Sequence, residues 1–178
     1  MPSKKLLAID PGNKESGFAI IDMEDYFPLY KGKWENEKLR ARIAQQWKHQ
    51  VDHVVIEMVA SYGMAVGETV FETVFWIGRF YEAVGTGGAT RDRMKRIEVK
   101  KNICHNTTAK DANITQALVD RFAPGTRNHG KGTKKEPGWF YGFKADVWQA
   151  YALGVTYIDM MKELHPKMNK EMENGAEE

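Results

Sequence analysis

The chain has 178 residues, 42% of them hydrophobic and 28% charged, the composition of an ordinary globular domain. One cysteine excludes an internal disulfide framework and zinc ligation by cysteine pairs, and no apolar run approaches the roughly eighteen residues of a bilayer span, so a reducing, cytoplasmic setting is expected. A net charge of +2 is too small to identify a nucleic-acid binder by itself.

The residues before the first strand, Met1 to Leu7, are too short and polar for a signal peptide. Leu6-Leu7-Ala8-Ile9 followed by Asp10-Pro11-Gly12 predicts a buried strand, Lys5 to Asp10, stopped by a turn. Gly17 to Asp22 and Tyr26 to Trp34 supply two more strands, joined antiparallel by short turns. From Glu35 to Gln50, helix formers carry Leu39, Ile43 and Trp47 at four-residue spacing, an amphipathic helix. His53 to Val59 is an apolar run broken only by Glu57, as in a strand buried on both faces. A loop over Ala60 to Gly67 leads to a helix from Glu68 to Val84, and a Gly-rich turn over Thr86 to Ala89 precedes a strand expected near Arg96 to Val99. Thr108 to Phe122 reads as a helix capped by Thr108, with Ile114, Leu118 and Phe122 on one face. Ala123 to Gly142, rich in Gly, Pro and Lys, reads as a long functional loop, and Phe143 to Leu164 as a closing helix. Residues 1–165 are taken as one domain and 166–178 as a polar tail. The tail's two lysines and four glutamates leave the body at about +4.

Three carboxylates stand where burial should exclude charge. Asp10 ends a strand, Glu57 interrupts an apolar one, and Asp146 opens the last helix beside Trp148. A buried carboxylate costs several kcal/mol unless a cation or metal compensates it. Three on separate elements suit hard divalent ions and phosphodiester hydrolysis, and Gly12 and Gly17 would let a phosphate approach closely. Cations cluster at Arg91, Arg93, Lys95, Arg96, Lys100 and Lys101, and again at Lys131, Lys134 and Lys135, as a phosphate backbone requires. The aromatic stripe Phe71, Phe75, Ile77, Phe80 and Tyr81 fits core or subunit packing. Cys104 lacks a partner placed by sequence and reads as a structural thiol.

Leu6 to Ala19, with its Asp-Pro-Gly and spaced glycine, resembles the first motif of the RuvC-type Holliday junction resolvases. Val54-Val55-Ile56-Glu57 resembles their second motif, Thr107 to Asp111 their lysine-bearing segment, and Asp146 to Leu153 their terminal helix. The stretch from Gly130 to Gly142 is similar to the bacteriophage-borne branch. The resemblance implies an α/β, RNase H-like mixed five-stranded sheet flanked by helices. It further implies a homodimer that cuts four-way DNA junctions with Mg²⁺ or Mn²⁺. It assigns metal binding to Asp10, Glu57 and Asp146, and phosphate stabilisation to Lys110 or Lys100. A junction-wedging residue is expected at Tyr62 or Met64, and DNA contacts at Arg91, Arg93, Lys101, Lys131, Lys134 and Lys135. One position departs from the pattern. Where the bacterial enzymes carry a second acid, Gln149 is neutral and at best a weak metal ligand. A debranching nuclease that also cuts flaps and forks, and a catalytically decayed junction-binding protein, are the competing readings. An actin-like sugar kinase would need a second phosphate hairpin that the chain lacks.

Overall fold

The computed structural model describes residues 3–60, 63, 65–85 and 87–174, with side chains through 164. Five strands form one mixed sheet in the order β3-β2-β1-β4-β5: β1 (Lys5–Asp10), β2 (Glu15–Asp22), β3 (Pro28–Glu35), β4 (His53–Met58) and β5 (Thr90–Lys95). β1, β2 and β3 are antiparallel neighbours, whereas β4 runs parallel to β1 and β5 parallel to β4. The helices are α1 (Asn36–Gln45), α2 (Glu68–Val84), α3 (Arg96–Cys104), α4 (Asp111–Phe122) and α5 (Ala145–Asn174).

Alternation along the strands splits the core in two, because successive strand residues point to opposite faces. Leu7, Ile9, Val54 and Ile56 pack beneath α1 and α2, against Leu39, Ile43, Trp47, Ile77 and Phe80. Leu6, Ala8, Ala19, Ile21 and Val55 pack beneath α5, which contributes Val147, Tyr151 and Val155. From Val147 to Ile158 α5 is buried nearly all round, Gln149 excepted, because it lies across β1 and β2 on one side and beneath α3 and α4 on the other. Among the described residues no helix is long and apolar enough to cross a membrane.

Most expected elements are present, with four differences, one being that the closing helix expected over Phe143 to Leu164 runs from Ala145 to Asn174, into the expected tail. The strand expected near Arg96 to Val99 lies earlier, at Thr90–Lys95, and Arg96–Cys104 is a helix. β5 edges the sheet, so of its six residues only Met94 is buried and it shows no apolar run. α4 starts at Asp111 rather than Thr108, whose backbone N–H and hydroxyl both donate to the Asn106 side chain. α1 ends at Gln45, and Trp47 is carried by a separate 3-10 turn, Trp47–His49. Between α4 and α5 the chain forms a long connection with a 3-10 turn at Asn128–Gly130 and a bridge from Gly132 to Pro137. Cys104 is unpaired and half-buried at the edge of the α5 core.

Candidate active site

Strand register places the acids. Asp10 ends β1 opposite Gly17 of β2, and Gly17 faces Lys33 of β3. On the other side Ile9 pairs with Ile56, so Asp10 and Glu57 come next along the parallel strands, and Glu57 faces Met94. Paired residues on neighbouring strands share a face. Lys33, Gly17, Asp10, Glu57 and Met94 therefore form one row across the sheet, on the α5 side.

Gly17 is the place in that row where a helix can come close. A Cβ on Gly17 would lie 2.5 Å from the Asp146 carbonyl oxygen and 2.7 Å from its Cβ. The missing side chain thus seats the first turn of α5 against the sheet, next to Asp10. The Asp146 carboxylate meets Lys33 Nζ at 2.7 Å, and the same ammonium lies 3.7 Å from Glu15. Gly17 serves packing rather than the phosphate approach expected from sequence. Gly12 likewise serves its turn, since a Cβ there would stand 2.3 Å from the Glu15 carbonyl. That turn is pinned by two fully buried polar residues, Ser16 and Asn36. Gly12 N–H donates to Ser16 Oγ (3.1 Å), Ser16 donates to Asn36 Oδ1 (2.6 Å), and Asn36 Nδ2 donates to the Gly12 carbonyl (2.9 Å). With every member paired, the network holds the backbone that follows Asp10.

The electrostatics are those of crowded acids. Burial first, and then the neighbouring Glu57 charge, push Asp10 up to about 8. Burial also raises Glu57, although the Arg96 guanidinium pulls it back and Lys100 assists. Arg96 opens α3 directly after β5, which ends beside β4. It reaches Glu57 Oε2 at 3.1 Å, Asp111 Oδ1 at 2.5 Å, and the Gln149 side-chain oxygen. Burial opposes the guanidinium charge, but Glu57 and Asp111 outweigh it and raise the Arg96 pKa.

Of the expected site residues, Asp10, Glu57, Asp146 and Gln149 are brought to one end of the sheet, and Lys100 lies near enough to act on the Glu57 charge. Lys110 caps α4 with an exposed side chain, and its backbone N–H donates to Asn113. Arg91 and Arg93 lie on the β5 edge over the Tyr81 ring, at 4.3 and 5.4 Å. Lys101 is exposed on α3, and Lys131, Lys134 and Lys135 sit on the connection that leads into α5. Tyr62 and Met64 lie outside the described residues. Three residues were not legible in the sequence as site residues: Arg96, Asp111 and Lys33. Arg96 stood among six cations of one stretch. The neutral residue at 149 was the available signal, since a half-buried amide oxygen calls for a donor.

Metal binding can be tested against these donors. Among the described residues, no three acidic, histidine or cysteine side chains converge closely enough to hold an ion between them. Arg96 and Lys33 cover one oxygen each of Glu57 and Asp146. Among the described residues none donates a hydrogen bond to the Asp10 carboxylate, which stands beside Glu57. Magnesium is commonly held by one or two carboxylates together with substrate phosphate and water, and the Asp10–Glu57 pair fits that pattern.

A mixed sheet in this order, with α5 laid across β1 and β2 and carboxylates at the strand ends, defines an RNase H-like α/β fold. The structure of Thermus thermophilus RuvC shares it, with a TM-score of 0.63 at 15% identity over 85% of this chain and 92% of that one. The structure of T. thermophilus RuvC in complex with Holliday junction substrate matches with a TM-score of 0.62 at 13% identity, over 86% and 91%. No family model matches the chain, and no curated protein matches it by sequence.

Proposed function

We propose that this chain is a Mg²⁺- or Mn²⁺-dependent endonuclease that cuts four-way DNA junctions by phosphodiester hydrolysis. The observation that carries the reading is the row across the sheet. Asp10 and Glu57 stand side by side, Asp146 is seated over Gly17, and the Arg96 and Lys100 cations border the acids. An ion held by Asp10 and Glu57 would supply Lewis acidity and offset the charge of a phosphate entering there. Arg96 and Lys100 border a cleft of about 310 Å³ and present positive charge to that phosphate. The junction-bound RuvC structure supports the choice of branched DNA, and the lysines of the connection before α5 supply further phosphate contacts.

The test is cleavage of end-labelled four-way junction, flap and linear duplex with Mg²⁺, Mn²⁺ or EDTA. Paired symmetric nicks confined to the junction and lost in EDTA are expected. Equal cutting of the flap would make the chain a debranching nuclease, and binding without metal-dependent cutting would make it a junction-binding protein.

A resolvase acts on two strands, and one face of α2 is suited to join two copies. Ile77 and Phe80 of the aromatic stripe are buried, but Phe71 and Phe75 are 62% and 59% exposed, with Val74 between them. A run of exposed large apolar side chains on one helix face suits contact with another protein surface. The double substitution Phe71→Glu and Phe75→Glu should weaken a homodimer by at least about 10³-fold, because two anchors at about 2 kcal/mol each already amount to that and a symmetric pair carries each anchor twice. Sedimentation equilibrium reads this directly. A wild-type chain that is monomeric at tens of micromolar, or a variant that dimerises as well as wild type, would refute the assignment.

A further inference from the structure

Glu57 from β4, Asp111 from α4 and Gln149 from α5 turn their side-chain oxygens toward a single point, and the Arg96 guanidinium fills it. Oxygens converging from three separate elements make a cation site, and here the cation is covalently part of the chain. Side-chain exposure is 21% for Arg96 and 17% for Glu57, so the pair is substantially enclosed rather than a surface contact. The neutral amide suits this occupant. Its oxygen accepts an N–H from the guanidinium, whereas it would hold a bare divalent ion weakly.

Charge supports the same division of the site. Glu57 gives Oε2 to Arg96, while Asp10, its neighbour on the adjacent parallel strand, feels the Glu57 charge and has no hydrogen-bond donor on its carboxylate among the described residues. One hard ion suits the Asp10 side, while the Gln149 side is already neutralised. Two-metal nucleases place their ions about 3.5–4 Å apart to flank the scissile phosphate. We propose that this chain is a one-metal variant of that arrangement: Arg96 takes the place of the second divalent ion, and each protomer binds a single ion on Asp10 and Glu57. The inference rests on the nuclease reading for its purpose, but the ion count can be measured without any DNA.

The experiment is a titration of EDTA-stripped, dialysed full-length protein with Mn²⁺, free ion being counted by electron paramagnetic resonance and folding checked by circular dichroism. Wild type should bind one Mn²⁺ per protomer, and Asp10→Asn should lose it. Arg96→Lys should still bind one. The double variant Arg96→Gln with Gln149→Asp, which removes the internal cation and restores an acid, should bind two. Two ions on the wild type would overturn the proposal whatever the variants do. So would a folded double variant that still binds one. A wild type that binds one ion yet cuts no branched DNA would uphold the count and refute the nuclease reading instead.

Discussion

Asp10→Asn is expected to lower junction cleavage by at least about 10³-fold, while DNA binding is kept or tightened. The loss follows from removing an ionic oxygen donor whose contribution to transition-state charge is several kcal/mol. Binding survives because the substitution removes a negative charge that faces phosphate. The same variant should be more stable than wild type in EDTA at pH 8. In the unfolded chain Asp10 ionises near its ordinary 3.8, whereas the folded metal-free chain holds the proton up to about 8. Folding takes up a proton throughout that window, so wild-type stability falls as pH rises from about 4 to about 8 and then levels off. Asparagine cannot ionise and lacks the decline. Its advantage at pH 8 should be about 1–3 kcal/mol, the usual cost of a poorly solvated polar group without partners, and should vanish near pH 4. Thermal melts at the two pH values, beside the cleavage assay, separate a dead but intact site from a damaged fold. Cleavage at the wild-type rate, or a lower melting temperature at pH 8, would refute the assignment of Asp10.

The carboxylates are legible in the sequence because burial makes them anomalous. Glu57 breaks the run His53 to Val59, and Asp10 closes an apolar strand, so each marks itself against its neighbours. β4 reads clearly because it is flanked by strands on both sides and covered on both faces. β5 does not, because an edge strand with only Met94 buried carries no hydrophobic period. The same misreading hid Arg96. With the strand moved back to Thr90–Lys95, the pairing of Glu57 with Met94 puts the start of α3 next to the acids, and one of six apparently solvated cations becomes part of the site. Lys33 was concealed by a longer path, since it reaches Asp146 only through the pairing of β3 with Gly17 and the seating of α5 there. Sequence periodicity reports which face a residue takes. It does not report which residue of another element will meet it across the sheet.

Gly17→Ala should cost far more than one methyl group normally does. Ordinary Cβ contacts do not fall below about 3 Å, yet here the new atom would meet the Asp146 carbonyl oxygen at 2.5 Å and the Asp146 Cα substituents at 2.7 Å. These are backbone or backbone-adjacent atoms at the start of a helix, so no side-chain rotation relieves the contact and α5 or β2 must move. Overpacking of this kind costs about 1–3 kcal/mol, visible as a lowered melting temperature. The larger effect falls on chemistry, because the atoms displaced carry the Asp146 carboxylate away from Asp10 and away from Lys33. A misplacement near 1 Å can reduce catalysis by about 10²-fold. Gly17→Ala should therefore remain folded at 25 °C, bind junction DNA, and cut at about a hundredth of the wild-type rate. Melting and cleavage measured on one preparation decide the matter. If Gly17→Ala melts and cuts like wild type, the first turn of α5 is not held against β2, and Asp146 loses its place beside Asp10.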